Sequence, residues 1–280
     1  MKFRILFLVS LFTSSSYSIN LDYNKCLQLI RLPMIIYDYR KTITYNTTDE
    51  IDPKSSSDVL TLLKRTAPNG KVITFIDDER NGLQTGITKS SKQKRICIVF
   101  RGSEELNDWY YNLMIQKVHL KDGIRVHEGF LKQLNSNNNY RKIADILSHE
   151  ISKHPDYEIF VLGHSLGASL STLFGYQFSK ESSSLINVVS FASPRVGNLN
   201  FKKDFEKQSN LVHYRITNKR DIVPALPIVN YHHVGEHIHM DGKSFEIKGG
   251  NNLFTSWSVK DHDISSYYKS MKDGYGWNKM

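Results

Sequence analysis

A serine hydroxyl attacks a carbonyl only when a base takes its proton and a third group holds that base in place. The segment Gly163-His164-Ser165-Leu166-Gly167 sets one serine between two glycines. Directly before it, Tyr157 to Leu162 is an apolar run of strand type, and directly after it Leu170, Leu173, Phe174 and Phe178 recur at helical spacing. A serine on a sharp strand-to-helix turn stands clear of the sheet. The glycines let strand and helix approach, and the helix N-terminus turns free N–H groups toward a developing oxyanion. The pattern predicts Ser165 as a nucleophile in acyl transfer.

The partners of such a serine follow it in the chain, first a carboxylate and then a histidine. Between Ser165 and the late histidines, Asp204 sits mid-helix in Lys-Lys-Asp-Phe-Glu and Asp241 in an Asp-Gly turn. Asp221 alone follows a run of strand type, Val212 to Thr217, at the sheet end where sites of open α/β sheets gather. The base has more candidates, because the chain holds 11 histidines. His232, His233, His237 and His239 crowd one segment, which suits either a metal site or a polar strand surface. No paired carboxylate or thiolate motif accompanies them, which favours the surface. His262 stands just before Ile264, Tyr267, Tyr268 and Met271, an apolar stripe that would anchor a helix and hold the preceding loop firmly.

These groups need a sheet to converge. Val72 to Ile76, Leu83 to Thr88 and Ile96 to Phe100 are β-rich runs parted by Asn81-Gly82 and by a basic turn at Lys92 to Lys94, an antiparallel start. From Tyr140 onward helical and strand patterns alternate, with strands at Tyr157 to Leu162, Asn187 to Phe191 and Val212 to Thr217. That alternation predicts an α/β class with a mostly parallel central sheet and helices on both faces. At the N-terminal end, Asp22 to Tyr39 reads as an amphipathic helix bent or interrupted at Pro33. No repeat or compositional break divides residues 19–280, which read as one domain.

Composition narrows the setting. The chain has 280 residues, 40% of them hydrophobic, which excludes a disordered chain, and two cysteines cannot staple a chain of that length. Lys2 and Arg4, an apolar run from Ile5 to Phe12, and small residues up to Ser18 form a secretory leader over residues 1–18, too short to span a bilayer. The product is expected outside the cell, with Asn46 as a glycosylation acceptor in a surface loop. The net charge of +9 is scattered rather than striped, which argues against nucleic acid and for attraction to anionic lipid surfaces. Cys26 and Cys97 are read as buried free thiols, with a bridge between them as the alternative.

Taken together, the serine turn, Arg220-Asp221-Ile-Val-Pro224 and His262 resemble the fungal-type lipases, lipase class 3, of the α/β-hydrolase fold. Phe100-Arg101-Gly102-Ser103 with Asp108-Trp109 is similar to that family's oxyanion loop and lid, Val126-His-Glu-Gly-Phe130 to its Val-His-x-Gly-Phe segment, and Phe191-Ala-Ser-Pro-Arg-Val-Gly-Asn198 to its Ser-Pro-Arg-Val-Gly run. The resemblance implies a triad of Ser165, Asp221 and His262, and an oxyanion hole from Ser103 and the N–H of Leu166. It further implies a lid on which Leu106, Trp109, Tyr110 and Leu113 form one apolar stripe. The implied activity is hydrolysis of lipid esters, triacylglycerols first, at a lipid–water interface, with no metal or organic cofactor. A phospholipase, a non-lipid esterase and an inactive lipid-binding protein are the alternatives. Ala168 departs from a glycine common in the family after Gly167, the region before Val72 has no specific match, and the disulfides of some members are not evident.

Overall fold

The structure is a computed structural model that describes residues 21–37, 70–103, 117–241, 245–248 and 257–274. The leader, Asn46 and the stripe from Leu106 to Leu113 lie outside the described residues.

Runs of Ile, Val and Phe with both faces apolar belong in the middle of a covered sheet, and that is where they fall. Among the described residues one sheet runs in the order β1 (Gly70–Asp78), β2 (Leu83–Ser90), β3 (Arg95–Phe100), β6 (Glu158–His164), β7 (Ile186–Phe191), β8 (Leu211–Asn218), β9 (Glu236–Met240) and β10 (Phe245–Lys248). Strands β4 (Lys117–His119) and β5 (Arg125–His127) form a separate antiparallel ribbon. The first two pairings are antiparallel and those from β3 through β9 are parallel. The antiparallel start and parallel centre match the sequence reading. At the far edge β10 reverses again to pair antiparallel with β9, which the sequence reading did not include.

Alternate residues feed two cores. Ile96, Ile98, Ile159 and Val161 pack under α3 (Glu128–Asn135), α4 (Asn139–Lys153), α5 (Leu166–Ser179) and α6 (Leu199–Phe205). On the other face Cys97, Val99, Phe160 and Leu162 meet α1 (Tyr23–Leu29), α2 (Arg31–Tyr37) and α7 (Ile264–Asp273). Each such side chain contributes roughly 1.5–3 kcal/mol when buried, so apolar packing carries the fold. Cys26 and Cys97 are free and buried in the second core, as expected, and burial pushes both thiols up, Cys97 to about 12.

The N-terminal helix is interrupted, as expected. The interruption registers at Ile30, between α1 and α2, three residues ahead of Pro33. Ile30 keeps helical dihedrals and its carbonyl still accepts from the Met34 N–H at 3.3 Å, so the N–H that Pro33 lacks, one turn after Leu29, is what parts the two helices.

Burial also makes the fold acid-sensitive. His213 on β8 contacts Ser190 Oγ through Nε2 at 2.7 Å, and His164 ends β6; both are buried. Desolvation, chiefly, depresses His213 to about 3 and His164 well below the ordinary imidazole value. The unfolded chain protonates both near pH 6.5, so it binds more protons than the native chain as pH falls, and stability is lost below that point. Urea unfolding should show the chain on the order of 2–3 kcal/mol less stable at pH 5.5 than at pH 7.5 from these two groups. His213→Gln should remove half of that loss; an equal loss in the variant would exclude His213 as a source.

Candidate active site

Ser165 lies where β6 ends and α5 begins, with φ 58° and ψ −123°, a backbone that costs a non-glycine residue roughly 1–3 kcal/mol. The neighbouring glycines make the turn sterically possible. A Cβ on Gly163 would collide with the Gly167 carbonyl, and a Cβ on Gly167 with the carbonyl of Phe100. The Ser165 N–H donates to Phe191 O at 3.0 Å, which ties the turn to β7.

His262 closes a single 3₁₀ turn, Lys260–His262, just ahead of α7. The chain reaches it through Ser258, whose N–H donates to Arg220 O at 2.9 Å beside Asp221. The imidazole Nε2 lies 2.9 Å from Ser165 Oγ, and Nδ1 lies 3.0 Å from each Asp221 carboxylate oxygen. Asp221 also accepts from the Val223 N–H at 2.9 Å and from the Tyr267 hydroxyl at 2.6 Å. Burial and the Asp221 charge hold the Tyr267 phenol well above its ordinary value, so it stays a donor. A carboxylate that only accepts puts the imidazole proton on Nδ1 and turns the Nε2 lone pair toward the serine hydroxyl. Ser165, Asp221 and His262 are all buried.

Leu166 opens α5, so its N–H has no helical partner and points out of the helix start. Ser103 reaches the same end of the sheet from the other side. Strands β3 and β6 run parallel with Phe100 opposite Gly163, and Ser103 lies three residues beyond Phe100, half-buried.

The rejected candidates lie elsewhere or do other work. Asp204 accepts from the Tyr176 hydroxyl and Lys180 Nζ on α5 and its end, and Asp241 is exposed. His237 Nε2 and His239 Nδ1 share Thr217 Oγ1 at 2.8 Å each, and His233 Nε2 bonds the Pro224 carbonyl at 2.7 Å. Among the described residues no group of three or more His, Cys, Asp or Glu side chains forms a metal cluster.

Two contributors escaped the sequence reading. Tyr267 stood there only as part of a packing stripe, yet a fully buried tyrosine needs a partner for its hydroxyl, and that was the available signal. His164 stood only as the variable residue of the serine motif. Its ring lies 4.8 Å from that of His262, centroid to centroid, and burial together with His262 keeps it neutral.

A mostly parallel sheet covered on both faces, with a serine on the strand–helix turn, a carboxylate after a later strand and a histidine just before the last described helix, is the architecture of an α/β-hydrolase. Solved structures share it. A triacylglycerol lipase, whose catalytic centre is described as a serine protease triad, superposes with a TM-score of 0.71 at 21% identity, covering 85% of this chain and 92% of that one. Residues 97–231 match the family described as lipase (class 3). A secreted mono- and diacylglycerol lipase A from Penicillium cyclopium is 30% identical over 177 residues, 61% of this chain and 54% of the relative. Phospholipase A1-II 1 from Oryza sativa subsp. indica is 29% identical over 218 residues, 66% and 52%. The chain thus spans about half the length of the curated relatives it matches.

Proposed function

We propose that this protein is an exported serine hydrolase that cleaves carboxylic esters of lipids, triacylglycerols foremost, through an acyl-serine intermediate. The continuous hydrogen-bonded line from Ser165 Oγ through His262 to Asp221 carries this reading. His262 takes the Ser165 proton as the hydroxyl attacks the ester carbonyl, and Asp221 holds the tautomer and stabilises the imidazolium. The N–H groups of Ser103 and Leu166, with the Ser103 hydroxyl, receive the oxyanion. His262 then returns its proton to the leaving alcohol. Water, activated in the same way, releases the acid. These steps call on no metal or organic cofactor.

A lipid surface suits the rim of the site. Ile228 and Val229, 70% and 73% exposed, follow Asp221 by a short loop. Trp257 and Val259 are exposed on either side of Ser258, which bridges to Asp221. With the apolar stripe of Leu106, Trp109, Tyr110 and Leu113 as a lid, these side chains would meet lipid rather than water. The mature chain, residues 19–280 after loss of the leader, would act as one domain at that surface.

The phospholipase relative supports a second reading, with the same serine chemistry on phospholipids. A panel of triacylglycerol emulsion, phospholipid vesicles and a soluble short-chain ester separates them, since the preferred lipid identifies the substrate class. A fluorophosphonate probe should label the wild type and spare Ser165→Ala. No labelling of the wild type would leave a lipid-binding protein without turnover.

Ser103→Ala tests the oxyanion assignment. It keeps the backbone N–H and removes the hydroxyl, so kcat should fall about 10²-fold with KM little changed. An unaltered kcat would mean that the hydroxyl is not aimed at the developing charge.

A further inference from the structure

The ring of His262 is held at its front by Ser165 and Asp221, but its main chain rides on one short 3₁₀ turn with little stiffness of its own. Behind it stands His164, the residue directly before the nucleophile. Its Nε2 lies 2.8 Å from the His262 carbonyl oxygen. A carbonyl only accepts, so Nε2 carries the proton and Nδ1 presents a lone pair. The Tyr37 hydroxyl, at the end of α2, lies 3.0 Å from that Nδ1 and donates to it.

We propose that His164 is a positioning residue for the base. It receives a hydrogen bond from Tyr37 and gives one to the main-chain carbonyl of His262, so that residues 164 and 165 grip one histidine from behind and from in front. The proposal rests on the assignment of His262 as the base. Two attachments between the same pair of segments remove the swing that a single hydrogen bond permits. The Ser165 Oγ to His262 Nε2 separation of 2.9 Å is then set by the backbone as well as by the ring.

Tyr37 is itself held. Arg101 donates from Nη2 to the Tyr37 carbonyl at 3.2 Å, and its guanidinium lies 5.9 Å from the centre of the Tyr37 ring. Arg101 lies two residues before Ser103, so one tyrosine touches both the support of the base and the segment that carries the oxyanion residue. The N-terminal helices therefore reach the reacting groups without touching substrate.

The test pairs kinetics on a soluble p-nitrophenyl ester with the low-field resonance of the His262 Nδ1 proton, assigned by its loss in His262→Ala. His164→Phe keeps an aromatic ring and removes both hydrogen bonds. It should lower kcat about tenfold to a hundredfold while KM stays within about twofold, and shift or broaden that proton. His164→Gln restores a donor at the Nε2 position and should recover most of both signals. A normal kcat with an unmoved proton in His164→Phe would overturn the proposal, and so would a glutamine variant as impaired as the phenylalanine one, which would mark a role in packing alone. Should His164→Phe fail to fold, Tyr37→Phe, which deletes one hydroxyl, should show a loss of about threefold in kcat and a displaced proton; a wild-type profile there would overturn it. A wild type that turns over no ester would defeat the functional reading instead, and the proton resonance alone would then decide the positioning role.

Discussion

Ser165→Ala should abolish ester turnover, lowering kcat by about 10⁴-fold or more, because the remaining groups have no nucleophile to activate. The fold should survive, since alanine also fits the buried turn and no backbone bond is lost. Asp221→Asn should cost a similar amount for a different reason. An amide can offer its N–H to Nδ1 and favour the wrong tautomer, leaving Nε2 protonated and unable to accept from the serine. His262→Ala removes the base outright. Because the three act as one unit, the double and triple replacements should lose little more than the worst single one. Rates on a soluble ester measure all of these. Should His233→Ala silence the enzyme while His262→Ala does not, the base has been misassigned; His233 is instead held on the Pro224 carbonyl.

Gly163→Ala should destabilise the fold strongly rather than merely slow the chemistry. The added methyl would overlap the Gly167 carbonyl and stand 2.6 Å from the Ala168 nitrogen. Those are backbone atoms of the turn, so no side-chain rotation relieves the contact. Relief requires moving β6 away from α5, and both elements are buried along nearly their whole length. A loss of about 4 kcal/mol or more is expected, against a total stability of roughly 5–15 kcal/mol for a domain. Urea unfolding and soluble yield measure it. A variant with an unchanged midpoint would show that strand and helix do not meet as closely as described.

The parts legible in the sequence were those whose signal is local. An apolar strand, a serine between glycines and a helical stripe lie within a few residues of one another, and β6, Ser165 and α5 fall where that pattern put them. The interruption of the first helix was legible to within three residues, because the N–H that a proline lacks is missed one turn earlier in the chain. The shared hydroxyl of Tyr267 on Asp221 and the link from Tyr37 to His164 join residues 46 and 127 positions apart. No periodicity encodes such a pair. Strand β10 was missed for another reason: four residues at a sheet edge are too few to show alternation.

The helices at the two ends of the described chain also meet each other. Arg31 Nη2 donates to the Tyr268 hydroxyl at 3.1 Å, and the Tyr23 hydroxyl lies 3.5 Å from Lys272 O, 249 positions away. During synthesis the segment with Ser165 leaves the ribosome long before His262 and α7, and the early helices wait for a partner made last. Contacts of such span close late, after the loop entropy between them has been overcome. Until then the nucleophile has neither its base nor the lock that holds the base.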